Sequence, residues 1–139
     1  MTQIPMEHEM TIRVRYSETD SMGLLHHANY PVYFEIGRTE LFRQQGGNYR
    51  TLEECGLFFV VASLNVQFRR PARYDDLLTL KTRIDRKTPA KLVHHYEIRR
   101  DGDLLCTAET VLACVDATGR VQRIPEDLVE MTTKEKKIE

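Results

Sequence analysis

Between residues 10 and 16 the chain alternates, with Met10, Ile12, Val14 and Tyr16 set against Thr11, Arg13 and Arg15. A two-residue period sends the two sets to opposite faces of a pleated strand, so a half-buried first strand is predicted here. Beyond residue 29 the period lengthens. Tyr30, Phe34, Gly37 and Leu41 recur at three- and four-residue intervals, and Tyr33, Ile36 and Phe42 widen the stripe. This predicts one helix of roughly four turns buried along one side. Asn29 is a suitable N-cap, Pro31 fits a first turn that needs no N–H from it, and Gly46-Gly47 ends the helix. Thr51-Leu52-Glu53-Glu54 has capping-box spacing for a short second helix ending near Gly56.

Strand periods then return. Val60, Ala62, Leu64, Val66 and Phe68 alternate with Ser63, Asn65 and Gln67 until Pro71. Leu78, Leu80 and Ile84 alternate with Thr79, Lys81 and Arg83, residues 92–100 form a further strand, and Asp101-Gly102 is a hairpin turn into residues 104–116. Four successive antiparallel strands with one long helix leave no crossover helices for a parallel sheet, so the class is α+β. An apolar stripe nearly as long as the strands implies a sheet curled around the helix. No linker or repeat divides residues 1–139, which are read as a single domain, and the mostly charged residues 132–139 are predicted to fray.

Composition narrows the function classes. The 139 residues are 41% hydrophobic, enough for one core, and carry 20 basic against 21 acidic side chains, for a net charge of -1. That balance argues against a nucleic-acid partner. The N-terminal MTQIPMEHEM lacks the pattern of an export signal, and the longest apolar run, residues 57–62, is far too short for a membrane span. Cys55, Cys106 and Cys114 are odd in number and lack CxxC spacing, which fits reduced thiols and a cytoplasmic location. A metal site is disfavoured: Cys106 and Cys114 would stand about 26 Å apart on a strand, His94 and His95 would point to opposite faces, and HExxH is absent.

The densest unexplained chemistry lies in residues 16–30, YSETDSMGLLHHANY, where polar groups gather without a strand or helix period. Asp20 and Gly23 could simply shape a turn. This loop, however, runs into a helix N-terminus, where free N–H groups and the helix dipole favour negative charge on a substrate oxygen. A carboxylate facing such a corner is equipped for acyl chemistry.

At these residues the chain resembles the hotdog-fold thioesterases of the 4-hydroxybenzoyl-CoA thioesterase and YbgC type. The likeness rests on Tyr16-x-x-x-Asp20-x-x-Gly23-x-x-x-His27-x-Asn29-Tyr30, on Phe34-Glu35-x-x-Arg38-x-Glu40 in the helix, and on Arg69-Arg70-Pro71-Ala72-Arg73-Tyr74-Asp75-Asp76 between strands. It implies a hotdog fold, a five-stranded antiparallel sheet around one long central helix, and hydrolysis of an acyl-CoA thioester. By resemblance Asp20 is the nucleophile or general base, and the His27 backbone N–H is the oxyanion donor. Gly23, Asn29, Tyr30 and Glu35 shape the substrate site, with Arg69, Arg70, Arg73 and Lys91 as candidates for the CoA phosphates. The resemblance also implies a homodimer or homotetramer and no cofactor, because CoA arrives as part of the substrate. Two alternatives share the fold. A dehydratase would pair His27 with Glu35, and a non-catalytic module would bind acyl-CoA without cleaving it.

Overall fold

A computed structural model of the chain describes residues 4–137, with side chains to residue 132. Strand β1 (Glu7–Arg13) is followed by two single 3-10 turns and helix α1 (Tyr30–Gln44), then by α2 (Tyr49–Glu54) and strands β2 (Phe58–Phe68), β3 (Leu77–Lys87), β4 (Leu92–Arg100) and β5 (Asp103–Val115). A two-residue β6 (Val121–Gln122) and helix α3 (Leu128–Lys137) complete the order. The strands lie β1-β3-β4-β5-β2, every pair antiparallel, with β6 on β5.

Alternation decides which side chains meet the helix. Leu80 of β3, Tyr96 and Ile98 of β4, and Cys106 and Ala108 of β5 pack in one core with Tyr30, Tyr33 and Phe34 of α1. Gly37 lets the helix approach the sheet: a Cβ there would lie 2.8 Å from Leu80 Cδ2 and would also strike Thr82 Oγ1. An antiparallel sheet wrapped on one long helix is the hotdog fold that the resemblance implied. Ile36 departs from the expected stripe and is exposed on the far side of α1.

Several boundaries differ from the sequence-based expectation for physical reasons. β1 starts and ends three residues earlier than the alternation indicated, and Tyr16 lies in a 3-10 turn, 78% exposed. The chain leaves the sheet there because the Arg15 N–H donates to Glu18 Oε1 at 2.8 Å, a bond that opens the turn. α2 begins at Tyr49, since Asn48 Oδ1 accepts from the N–H groups of Arg50 and Thr51; Thr51 is inside the helix and does not cap it. β2 contains a bulge between Val61 and Ser63, which shifts its facing residues to Phe59, Val61, Leu64, Val66 and Phe68. The sheet has six strands with β6, and residues 132–137, expected to fray, continue α3. That helix docks through Leu128 and Thr132, whose Oγ1 accepts the Asn48 N–H at 3.2 Å. The rest of the expected frayed tail, 138–139, lies outside the described residues.

β2 is the end strand of the sheet path, and much of its apolar surface is open. Val61, Leu64 and Phe68, on the face turned toward the helix layer, are 49%, 43% and 55% exposed. No helix among the described residues is long and apolar enough to cross a membrane.

Candidate active site

One buried carboxylate fixes the loop between β1 and α1. Glu18 is 5% exposed. Its Oε1 accepts from the Tyr33 hydroxyl at 2.7 Å and from the Arg15 N–H, and its Oε2 accepts from Arg15 Nη2 at 3.0 Å. Burial works against the ionised form, but the hydrogen bonds from Arg15 and Tyr33 outweigh it and hold the carboxyl below the usual range. The Glu18 carbonyl accepts from the His26 N–H and from Asn29 Nδ2, both at 2.9 Å. Both ends of the 19–26 segment are therefore anchored at one residue. Asn29, expected to cap α1, spends its side chain on this anchor and makes no capping bond; His26 caps the 3-10 turn before α1, its Nδ1 accepting the Ala28 N–H at 3.1 Å.

Within the anchored loop Asp20 closes a tight turn. Its Oδ1 accepts from the N–H groups of Met22 at 2.8 Å and Leu24 at 3.1 Å, and Gly23 occupies φ +78°, where a side chain would be strained. Asp20 Oδ2 has no hydrogen-bond partner among the described residues. The loop is stitched to the segment after β2: the Leu25 N–H donates to the Ala72 carbonyl at 2.8 Å and the Tyr74 N–H to the Gly23 carbonyl at 3.1 Å, around a bridge between Leu24 and Arg73.

The result is an open cleft of about 320 Å³, with Asp20, His27, Tyr30, Phe68, Arg69 and Arg70 among its lining. Tyr30 and Phe68 form its apolar floor, edge to face at 4.9 Å. Burial pushes the Tyr30 hydroxyl up to about 12, so it stays protonated at neutral pH. From Met22 to Tyr30 only the His27 N–H lacks an acceptor among the described residues, and it heads the 3-10 turn that leads into α1. The cleft thus combines a carboxylate oxygen, an unpaired amide hydrogen at a helix entry and two guanidinium groups. Arg70 is partly engaged by Asp103 at 3.7 Å.

The other expected residues sit elsewhere. Gly23 and Asn29 shape the loop without lining the cleft. Glu35 is exposed on α1, and among the described residues no hydrogen bond or ion pair joins it to His27. Arg73 adjoins the cleft through its backbone bridge to Leu24. Lys91 lies in the β3–β4 turn, where its carbonyl accepts the Thr88 N–H, and it is not part of the cleft wall. Sequence reasoning missed Glu18 altogether. The Arg15-x-x-Glu18 spacing was the available local signal, but the Tyr33 contact is visible only in the fold. It placed Asp76 in the Arg69–Asp76 motif without giving it a role; its Oδ2 accepts from the Arg73 N–H at 2.8 Å and from Arg100 Nη1 at 2.7 Å and so shapes the arginine-bearing segment. Among the described residues no three His, Cys, Asp or Glu side chains cluster as metal ligands do.

The chain matches the model of the thioesterase-like superfamily over residues 14–131. It is 33% identical over 120 residues to the acyl-CoA thioester hydrolase YbgC of Escherichia coli O157:H7, covering 85% of this chain and 90% of that one. Its fold aligns with the DHNA-CoA thioesterase of Staphylococcus aureus at TM-score 0.85 and 29% identity, over 95% of this chain and 92% of that one. It also aligns with a 4-hydroxybenzoyl CoA thioesterase at TM-score 0.82 and 22% identity, over 92% and 99%, a likeness of fold alone.

Proposed function

The chain belongs to the thioesterase-like superfamily, and from that membership we propose that it hydrolyses acyl-CoA thioesters to free acid and CoA at the Asp20 cleft. The observation that supports the reading is the coexistence, in one cleft, of a carboxylate with one uncommitted oxygen and an unpaired N–H at the entry to α1. In this mechanism the thioester carbonyl oxygen accepts from the His27 N–H, which stabilises the charge that develops on it; a donor of this kind is worth about 3–4 kcal/mol of barrier. Asp20 Oδ2 attacks the carbonyl carbon or takes a proton from the attacking water. The departing thiol has a pKa near 8.5 by analogy with cysteine, so it leaves without a strong acid beside it. Arg69 and Arg70 meet the CoA phosphates, with Arg73 next to them on the same segment.

We also propose a homodimer joined along β2, pairing further into a tetramer, that works in the cytoplasm without a cofactor. Exposed Val61, Leu64 and Phe68 support the pairing edge. The open cleft ends beside Phe68 on that strand, so a partner subunit would complete its wall.

The test is thiol release over a panel of acyl-CoA substrates with wild type and Asp20→Asn. Asparagine keeps an Oδ1 for the turn while removing the carboxylate, so folding and chemistry are separated. Turnover on at least one acyl group is expected, reduced about 10²-fold or more in the variant. Unchanged turnover in Asp20→Asn sinks the site, and no turnover on any substrate favours the binding module.

A further inference from the structure

The second cavity, about 230 Å³, opens beside the C-terminal half of α1, between α3 and the β3–β4 layer. Leu41, Phe42, Leu92 and Leu128 line it, each at most 5% exposed. His94 and Arg38 bring polar groups into this apolar wall, beside Gln45 and Tyr49. His94 is 2% exposed; its Nδ1 is buried without a partner, and no hydrogen bond reaches the ring among the described residues. Arg38 enters from α1 with Nη1 3.5 Å from the Tyr96 hydroxyl, which is already committed to Thr110 Oγ1 at 2.6 Å. No carboxylate lies within ion-pair distance of Arg38 among the described residues.

A half-buried guanidinium without a counter-charge and a buried imidazole without a partner both carry a desolvation cost that an acceptor between them would offset. Burial and then the nearby Arg38 charge push His94 down to about 3, leaving a neutral ring with one N–H to donate. The planar fork of Arg matches the two oxygens of a carboxylate. We propose that this cavity is a binding site for a short apolar acid, its carboxylate held by Arg38 and His94 and its chain laid against Leu41, Phe42 and Leu92. At about 30 Å³ per non-hydrogen atom, taken from the share of a water in the liquid, the space holds roughly eight such atoms, the size of hexanoate. Lys87, Glu126, Asp127 and Glu130 also border the cavity on its exposed rim, where partial burial lowers the Lys87 pKa against the pull of Asp127 and Glu126.

The site is separate from the Asp20 cleft and does not rest on the hydrolytic reading, because its test reads binding heat and not turnover. Calorimetry with hexanoate and hexan-1-ol is run on wild type, Arg38→Gln and Asp20→Asn. Hexanoate is expected to bind wild type about tenfold or more tightly than the alcohol. That preference is expected to vanish in Arg38→Gln and to survive in Asp20→Asn. No hexanoate binding, equal binding of acid and alcohol to wild type, or a loss caused by Asp20→Asn and not by Arg38→Gln overturns the proposal. Should Arg38→Gln fail to fold, the acid–alcohol comparison on wild type and Asp20→Asn still decides it.

Discussion

At the scale of single residues, Glu18 and Asp20 divide two tasks that the sequence places two positions apart. Glu18 is buried and fully engaged, so it serves the architecture; Asp20 keeps one oxygen uncommitted, which supports its proposed part in the chemistry. Replacing Glu18 with Gln removes the charge that Arg15 and Tyr33 were arranged to meet and is expected to cost about 2–3 kcal/mol at neutral pH, measured by denaturant unfolding. The pH dependence has a definite sign. The folded-state pKa of Glu18 is depressed, so its contribution is fully present above the unfolded value of about 4.5 and is lost as pH falls through the folded one. The stability gap between wild type and Glu18→Gln should therefore narrow on acidification below about pH 4.5, and a gap that stayed constant to lower pH would refute the role. That Asp20 and His27 share one cleft was legible because both fall in one short stretch of chain. Glu18 was not, because its partner Tyr33 belongs to the next helix and looks like any other core aromatic.

Among elements, α1 shows how one small residue sets a packing distance. Gly37→Ala gains about 1 kcal/mol of helix propensity, but the added methyl strikes Leu80 and Thr82, and overpacking of this kind costs about 1–3 kcal/mol. The clash is expected to win, with a net loss of up to about 2 kcal/mol in thermal or denaturant unfolding. A more stable variant would show that β3 can retreat. The long helix, β3 and β5 were readable because their burial imposes a period; β4 was read as a strand without a clear inward face, since Leu92, Val93 and His94 are buried in succession. The bulge in β2 was not, since one extra residue inverts the alternation while the composition still reads as a strand. α3 was missed for a different reason: charged residues mask a helix held at its start by Leu128 and at Thr132 through its bond to Asn48.

For the molecule as a whole, the open apolar row on β2 sets the terms. A single Leu64→Lys substitution in that row is expected to shift the protein toward monomer in sedimentation velocity and to lower thiol release together, since the cleft ends against the same strand. A variant that sediments as wild type would rule out that edge as the contact. The exposed β2 row could not be read from the chain, because exposure of an apolar strand is a property of the folded surface and not of its period. The stitching of Leu25 to Ala72 and of Gly23 to Tyr74 has one more effect. Two backbone hydrogen bonds tie the loop that carries Asp20 to the segment that begins at Arg69, so the spacing between the proposed grip on the carrier and the proposed point of scission behaves as a fixed gauge. Lengthening residues 71–74 by one amino acid would miscalibrate that gauge while leaving each reactive group in place.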